Sequence, residues 1–275
     1  MGRRAGRLPR ALLLSAAADA DMDSTLLTYR QLTRDMTRSL SAKAAEKPVA
    51  LESAYYLKHI GKVTGIEDFL KDTRLFTYAM KAFGLEDMAY AKGYMRKVLK
   101  EGVTDPKSFA NKLNDDRFKA FAKVFDFQGL GAAATRLPDA GQKVVDRYVR
   151  QALEVDQGTS NEGVQLALYF QRQAPTVKSV YGLLADPALW KVTKTIFDFP
   201  DAMAAAPIEK QAKAVKAQMN IADLKEPAKL DALLRRFSAK WDVAQGTAAA
   251  PVLDLFPIRA SGAASFSILN LKYGG

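Results

Sequence analysis

The stretch that decides the fold is "VTGIEDFLKDTRLFTYAMKAFGLEDM", residues 63–88, because its pattern recurs as "VKSVYGLLADPALWKVTKTIFDFPDAM", residues 177–203. In the first stretch, apolar side chains with helical spacing run from Asp72, a typical N-cap residue, to Gly84, which suits a left-handed C-terminal position. An offset of 114 positions places Asp72 on Asp186. The agreement of caps and order predicts two copies of one multi-helix unit.

The same offset aligns further residues of similar size and polarity: Tyr55 with Tyr169, Phe69 with Leu183, Leu75 with Leu189, Phe76 with Trp190 and Phe83 with Phe197. Two amphipathic units of this kind can bury their apolar stripes against each other. We therefore predict an all-α domain of two pseudo-symmetric multi-helix repeats joined by a connecting helix. A later match, "DPKSFANKL" at 105–113 with "EPAKLDALL" at 226–234, requires an offset of 121 and so an insertion.

The repeat predicts which side chains form the core. Matching positions of the two copies should be buried: Phe69, Leu75, Phe83, Leu184, Trp190 and Phe197. Other aromatic residues also lie at core spacing, namely Phe118, Phe121, Phe125 and Trp241. Thr64, followed three residues later by Glu67, predicts a capping box at the start of the helix that contains Phe69.

The ends of the chain differ from its helical middle. Four arginines and a short apolar run open the sequence, which leaves two interpretations of residues 1–21: a leader, with signal-peptide cleavage of residues 1–20, or an extension ahead of a true start at Met22. The predicted segments are 1–21, a leader or mis-annotated extension; 22–47, an N-terminal helical segment; 48–128, the first helical repeat; 129–160, a connector with a helix near 138–155; 161–245, the second helical repeat; and 246–275, a flexible tail.

Composition excludes several kinds of chemistry. The 275 residues include no cysteine and one histidine, His59, so disulfides, thiolate nucleophiles and multi-histidine zinc sites are ruled out. No window approaches ~18 uninterrupted apolar residues, so no membrane-spanning helix is predicted. We find no catalytic, metal or cofactor motif and predict a protein that is not an enzyme. Absence of cysteine fits a reducing compartment and also export without disulfides, so it does not fix the localisation of the protein.

The net charge of +11 allows an anionic partner. Two predicted helices concentrate basic residues that could form a paired anion- or partner-binding surface, and the alternative is two solvated helix faces. The candidate residues are Lys92, Arg96, Lys97 and Lys100 in the first repeat and Lys210, Lys213 and Lys216 in the second.

Several stretches resemble a family of alphaproteobacterial proteins of unknown function: "FLKDTRLFTYAMKAFGLED" (69–87), "GVQLALYFQRQAPTV" (163–177), "KVTKTIFDFP" (191–200) and "LLRRFSAKWD" (233–242). The resemblance covers roughly residues 22–245. Members of that family are all-helical and many are encoded among flagellar genes. The resemblance implies a flagellum-associated structural or assembly role, and it brings no catalytic residues with it.

Together these observations predict a non-enzymatic structural, assembly or protein-interaction role associated with the flagellum. The expected partner is another protein, such as a flagellar component. The alternative is a basic helical nucleic-acid-binding protein, which the net charge favours.

Overall fold

A computed structural model describes residues 24–113 and 115–246. Its regular elements are helices throughout, and no strand occurs within those two ranges, which confirms the predicted all-α class. The predicted leader at 1–21 and the predicted tail beyond Gly246 lie outside the described residues.

The described chain starts with helices that lead into the first half of the fold: α1 (Thr25–Arg34), α2 (Met36–Ala45), α3 (Lys47–Ile60), α4 (Ile66–Lys71), α5 (Thr73–Ala82), α6 (Lys92–Glu101), α7 (Phe109–Lys112), α8 (Asp116–Val124) and α9 (Phe127–Leu130). The second half follows: α10 (Gln142–Ser160), α11 (Glu162–Gln173), α12 (Val180–Ala185), α13 (Pro187–Phe197), α14 (Ile208–Gln218) and α15 (Pro227–Gln245). Short 3₁₀ turns connect several of them: Glu86–Met88, Gly131–Arg136, Ala174–Thr176, Asp201–Ala205 and Ile221–Lys225.

Two apolar clusters form the interior. Phenylalanines dominate the first, where the rings of Phe69 and Phe125 lie 4.8 Å apart and Phe83 meets Phe121 edge-on at 5.2 Å. The second holds both tryptophans, Trp190 and Trp241, together with aliphatic residues of α11–α15 and with Tyr29 of α1. The chain therefore buries its apolar surface in two adjoining places.

Helix α10 packs against both halves of the fold. Its Val144, Val145 and Val149 belong to the first cluster, and its longest side-by-side contact is with α11 of the second half. At that contact Glu154 is 1% exposed and binds two guanidinium groups, from Arg150 at 2.9 Å and from Arg172 at 2.7 Å. The helix predicted near 138–155 thus holds the halves together through a buried ionic contact.

The N-terminal helices are docked. At the start of α1, the buried carboxylate of Asp242 on α15 accepts hydrogen bonds from the Thr25 backbone N–H at 2.8 Å and from the Ser24 hydroxyl at 2.9 Å. Helix α2 is fastened to α10, because the buried Lys43 ammonium donates to Asp156 at 2.9 Å. These contacts tie the segment to α15 and α10, and Leu40 and Ala44 of α2 also pack against the first cluster.

The core prediction is confirmed at Phe69, Leu75, Phe83 and Trp190, which are all buried. It is wrong at Leu184 and Phe197, which are only half-buried. At the first position the preceding residue of α12, Leu183, takes the inward site. Phe197 ends α13, and its ring lies against Phe199 and under the guanidinium of Arg236 at the edge of the cluster.

Two local sequence interpretations are also corrected. Gly65 is the N-cap residue of α4 and offers no side-chain cap, and Thr64 binds Asp68 rather than forming a capping box with Glu67. The letters shared by 105–113 and 226–234 do not give a shared structure: residues 227–245 form the 19-residue α15, while the stretch around 105–108 turns into the four-residue α7.

Candidate functional site

The first predicted basic helix forms as α6. It buries Met95, Val98 and Leu99, which turns its basic side chains toward solvent. The Arg96 guanidinium makes a two-point contact with Glu67 of α4, with Nη2 2.9 Å from Oε2, and this hydrogen bonding lowers the pKa of the Glu67 carboxyl. The cationic fork of Arg96 is therefore already occupied by a carboxylate.

A cavity of about 580 Å³ opens between α6, the turn that follows it and Gln128 of α9. Three of the predicted residues line it, together with a lysine of the turn and two carboxylates: Arg96, Lys97, Lys100, Lys107, Glu101 and Asp105. The Lys97 ammonium lies 4.5 Å from the centre of the Phe109 ring and 3.9 Å from Glu101. Basic side chains outnumber acidic ones in this lining, so it is the most cationic concave surface described here.

Ser108 lines the same cavity and is 3% exposed. Its hydroxyl oxygen is buried and has no hydrogen-bond partner within the described ranges. A buried hydroxyl is normally paired, so an unpaired one calls for an explanation. Sequence reasoning missed Ser108 and Lys107, and the only signal available was that they follow the basic run of α6 directly after Pro106.

The other predicted basic residues lie elsewhere. The Lys92 ammonium donates to the Thr73 hydroxyl at 2.9 Å, outside the lining of the cavity. On α14, Lys210 and Lys213 are exposed, while Lys216 lines a separate cavity of about 450 Å³ beside the ring of Tyr181. The structure therefore brings Arg96, Lys97 and Lys100 together, and the paired surface of two basic helices stays a prediction.

A further cavity of about 860 Å³ lies between α1, α2 and α10. Its most buried charged group is Lys43, 6% exposed, which is held by Glu46 at 2.8 Å and by Asp156 at 2.9 Å. Because the Lys43 ammonium is paired with both carboxylates, these charged groups serve to join α2 to α10.

One face of α3 is apolar and open to solvent. Leu51 is 56% exposed and Leu57 is 43% exposed, and the exposed Ala50 and Ala54 fill the turns between them. The opposite face buries Val49, Tyr56 and Ile60 in the first cluster. Sequence reasoning missed this surface, although a helix that is apolar on both faces was the signal for it.

Among residues 24–113 and 115–246, no group of histidine, aspartate and glutamate side chains is arranged to hold a metal ion. The same ranges contain no helix of the length and apolarity needed to cross a membrane. The predicted absence of catalytic residues and cofactors stays a prediction.

Fold and surfaces define an all-helical protein with a cationic cavity and an exposed apolar helix face. The chain belongs to the family described as "Protein of unknown function (DUF1217)", whose model matches residues 82–230, more than half of its length. Protein AGR_C_984 from Agrobacterium tumefaciens, known from an X-ray crystal structure, is 48% identical, with a TM-score of 0.74 over 80% of this chain and 94% of that chain. The comparison with curated proteins finds no match. The resemblance to a family of unknown function is thus confirmed.

Proposed function

We propose that this protein is a non-enzymatic structural or assembly component that acts by binding another protein, and that it works with the flagellum. The observation that carries the proposal is the exposed apolar face of α3. Single exposed apolar residues are ordinary, whereas a contiguous apolar patch is typical of an interaction surface.

The face has the form of a helix-recognition surface. Ala50, Leu51, Ala54 and Leu57 follow the helical repeat of three and four residues, so they form one stripe about two turns long. Burying the exposed part of two leucines would contribute a few kcal/mol to association, at roughly 25 cal/mol per Å² of apolar area. The stripe therefore suits an apolar segment of a partner.

Charge at the edges of the stripe indicates the chemistry of that partner. Lys47 and Lys58 are exposed at its two ends, and neither has an ion-pair partner within the described residues. A partner with an apolar helix flanked by acidic residues matches this arrangement, because complementary charge speeds association and fixes register. We assign the face to an acidic amphipathic segment of another protein.

The flagellar part of the proposal rests on the resemblance to a family whose members are often encoded among flagellar genes. A deletion strain complemented with three versions of the gene tests both parts. We expect the deletion to impair swimming and filament assembly, the wild-type gene to restore them, and the double variant Leu51→Glu, Leu57→Glu to fail. Ile208→Glu, which changes an exposed apolar residue of α14, is the matched control and should restore swimming.

Two results would count against the proposal at different points. Normal swimming and filament number in the deletion strain remove the flagellar role. Full rescue by the double leucine variant, with the protein present at wild-type level, removes α3 as the interaction surface.

We further propose that the architecture is a duplicated unit, with pseudo-symmetric halves. Helix α12 has the bounds of α4 shifted by 114 residues, and Pro187 begins α13 where the same shift takes Thr73 of α5. Tyr55 donates a hydrogen bond to Asp72 at 2.9 Å, and Tyr169 donates one to Asp186 at 2.6 Å. Shared bounds and a shared tyrosine–aspartate contact support the duplication.

A further inference from the structure

We infer that the cavity between α6, the turn that follows it and α9 binds a small phosphate monoester, through Lys100, Lys107 and the hydroxyl of Ser108. This inference is independent of the proposed binding of a partner protein to α3. Some polar groups of the cavity are already engaged by neighbouring residues, and others are free to meet a ligand.

Most charged groups of the lining have partners. Arg96 is held by Glu67, Lys97 lies beside Glu101, and Asp105 accepts a hydrogen bond from the Lys107 backbone N–H at 2.7 Å. The Glu101 carboxylate also accepts from the Phe109 backbone N–H at 2.6 Å. These carboxylates are committed to fixing the loop between α6 and α7.

The remaining donors are two ammonium groups, one hydroxyl and the side-chain amide of Gln128 on α9. Lys100 and Lys107 have no ion-pair or side-chain hydrogen-bond partner among the described residues, and the Ser108 hydroxyl is buried without one. A buried serine hydroxyl is normally paired within the protein, because leaving it unpaired costs free energy. The unpaired hydroxyl in a cationic cavity therefore indicates a missing acceptor.

The donor set favours phosphate over carboxylate. Carboxylates are best recognised by the planar fork of an arginine, and the arginine of this cavity is already engaged. Ammonium groups act as point charges, and together with a hydroxyl they suit the several oxygen acceptors of a tetrahedral dianion. The two acids that line the cavity, Glu101 and Asp105, and Glu67 beside Arg96 disfavour a long polyanion such as DNA, because all three carboxylates would repel it.

Isothermal titration of the full chain with inorganic phosphate, at about pH 8 and constant ionic strength, tests the inference. A phosphate monoester is a dianion at that pH, and inorganic phosphate stands in for it. We expect saturable binding that acetate and chloride do not reproduce. Lys100→Gln and Lys107→Gln should each weaken it about tenfold, the ratio expected for losing a charged hydrogen bond. Ser108→Ala should weaken it about threefold.

The matched control is Lys225→Gln, which removes an exposed lysine of the 3₁₀ turn Ile221–Lys225, outside the lining of the cavity, and should leave phosphate affinity unchanged. Circular dichroism of each variant verifies that the helices are intact. The inference is overturned by the absence of phosphate binding, or by equal losses in Lys225→Gln. An unchanged affinity in Ser108→Ala overturns the role of the hydroxyl. Binding of duplex DNA through Lys100 and Lys107 that inorganic phosphate does not compete with overturns the small ligand.

Discussion

Gly163 of α11 lies close against Trp241 of α15 and Thr25 of α1. A Cβ atom built there would be 2.4 Å from Cδ1 of Trp241 and 2.7 Å from Oγ1 of Thr25. No side chain fits at such distances without moving the indole or the start of α1. The glycine is thus required by packing between three helices and not by its own backbone angle.

We expect Gly163→Ala to lower the free energy of unfolding by about 1–3 kcal/mol, the usual cost of overpacking. Helix propensity acts in the opposite direction, since it favours alanine over glycine. Urea unfolding followed by tryptophan fluorescence measures the effect. Gly182→Ala in α12 is the control, because a Cβ atom built at Gly182 would have its nearest neighbour 3.7 Å away. This variant should leave the free energy of unfolding unchanged or slightly raised. Equal behaviour of the two variants would contradict the packing argument.

At the scale of residues, prediction from sequence succeeded for side chains that bind the backbone of residues nearby in the chain. Asp72 accepts from the Leu75 backbone N–H and Asp186 from that of Leu189, as caps identified by sequence should. It failed at Glu67, whose carboxylate was expected to turn back to the chain and instead reaches Arg96 on another helix. An ion pair between two helices cannot be predicted from the spacing of residues within one helix.

At the scale of elements, α5 and α13 are each fixed at the start by an aspartate that does two things. Asp72 and Asp186 cap their helices and also accept a hydrogen bond from a tyrosine of the preceding longer helix, α3 or α11. The capping role was predictable from sequence. The tyrosine contact was not, because it joins residues that lie 17 positions apart on different helices.

Double-mutant cycles on these two contacts test the proposed duplication. Combining Tyr169→Phe with Asp186→Asn should reveal a favourable coupling of about 2 kcal/mol, typical of a hydrogen bond to a charged group. Tyr55→Phe with Asp72→Asn should give a coupling of the same sign and smaller size, because that hydroxyl is nearer solvent. Tyr181→Phe, at an exposed tyrosine on α12, should change nothing. A coupling in only one half would contradict the proposal that the two halves are copies of one unit.

Other elements show why spacing alone was insufficient. The stretch at 129–141 is rich in glycine and alanine but forms the end of α9, a 3₁₀ turn and the residues that lead into α10, with Ala134 and Thr135 buried. The Thr135 hydroxyl donates to the Val63 carbonyl at 2.9 Å, which fixes the segment against the first cluster. The conformation of such a segment depends on backbone acceptors that are distant in the sequence. The cavity beside α6 was not predictable for a similar reason, because Ser108 reaches it only through the turn that follows the helix.

At the scale of the whole molecule, the two apolar clusters need a mechanical connection. Helix α10 supplies it, with valines in the first cluster and Glu154 buried against Arg172 of α11. Helices α1 and α2 add a second connection, since α1 contributes Tyr29 to the second cluster and α2 packs Leu40 and Ala44 against the first. The molecule should therefore unfold as one cooperative unit.

Two optical probes can separate the halves. Both tryptophans, Trp190 and Trp241, lie in the second cluster, whereas far-ultraviolet circular dichroism reports helices of the whole described chain. In the wild type we expect the two signals to change at the same urea concentration. Non-coincident transitions would show that α10 does not couple the clusters.

Glu154→Gln should break that coupling. The change leaves Arg150 and Arg172 close together without the carboxylate that both contact, at a site that is almost closed to water. Removing one partner of a buried ion pair costs about 3–5 kcal/mol, and here the cost falls on the contact between the halves. We therefore expect a lower midpoint and a separation of the fluorescence and dichroism transitions. Glu162→Gln removes the exposed pair with Lys191 and should cost less than about 1 kcal/mol with coincident transitions. If the two glutamate variants unfold alike, the buried network is not what joins the halves.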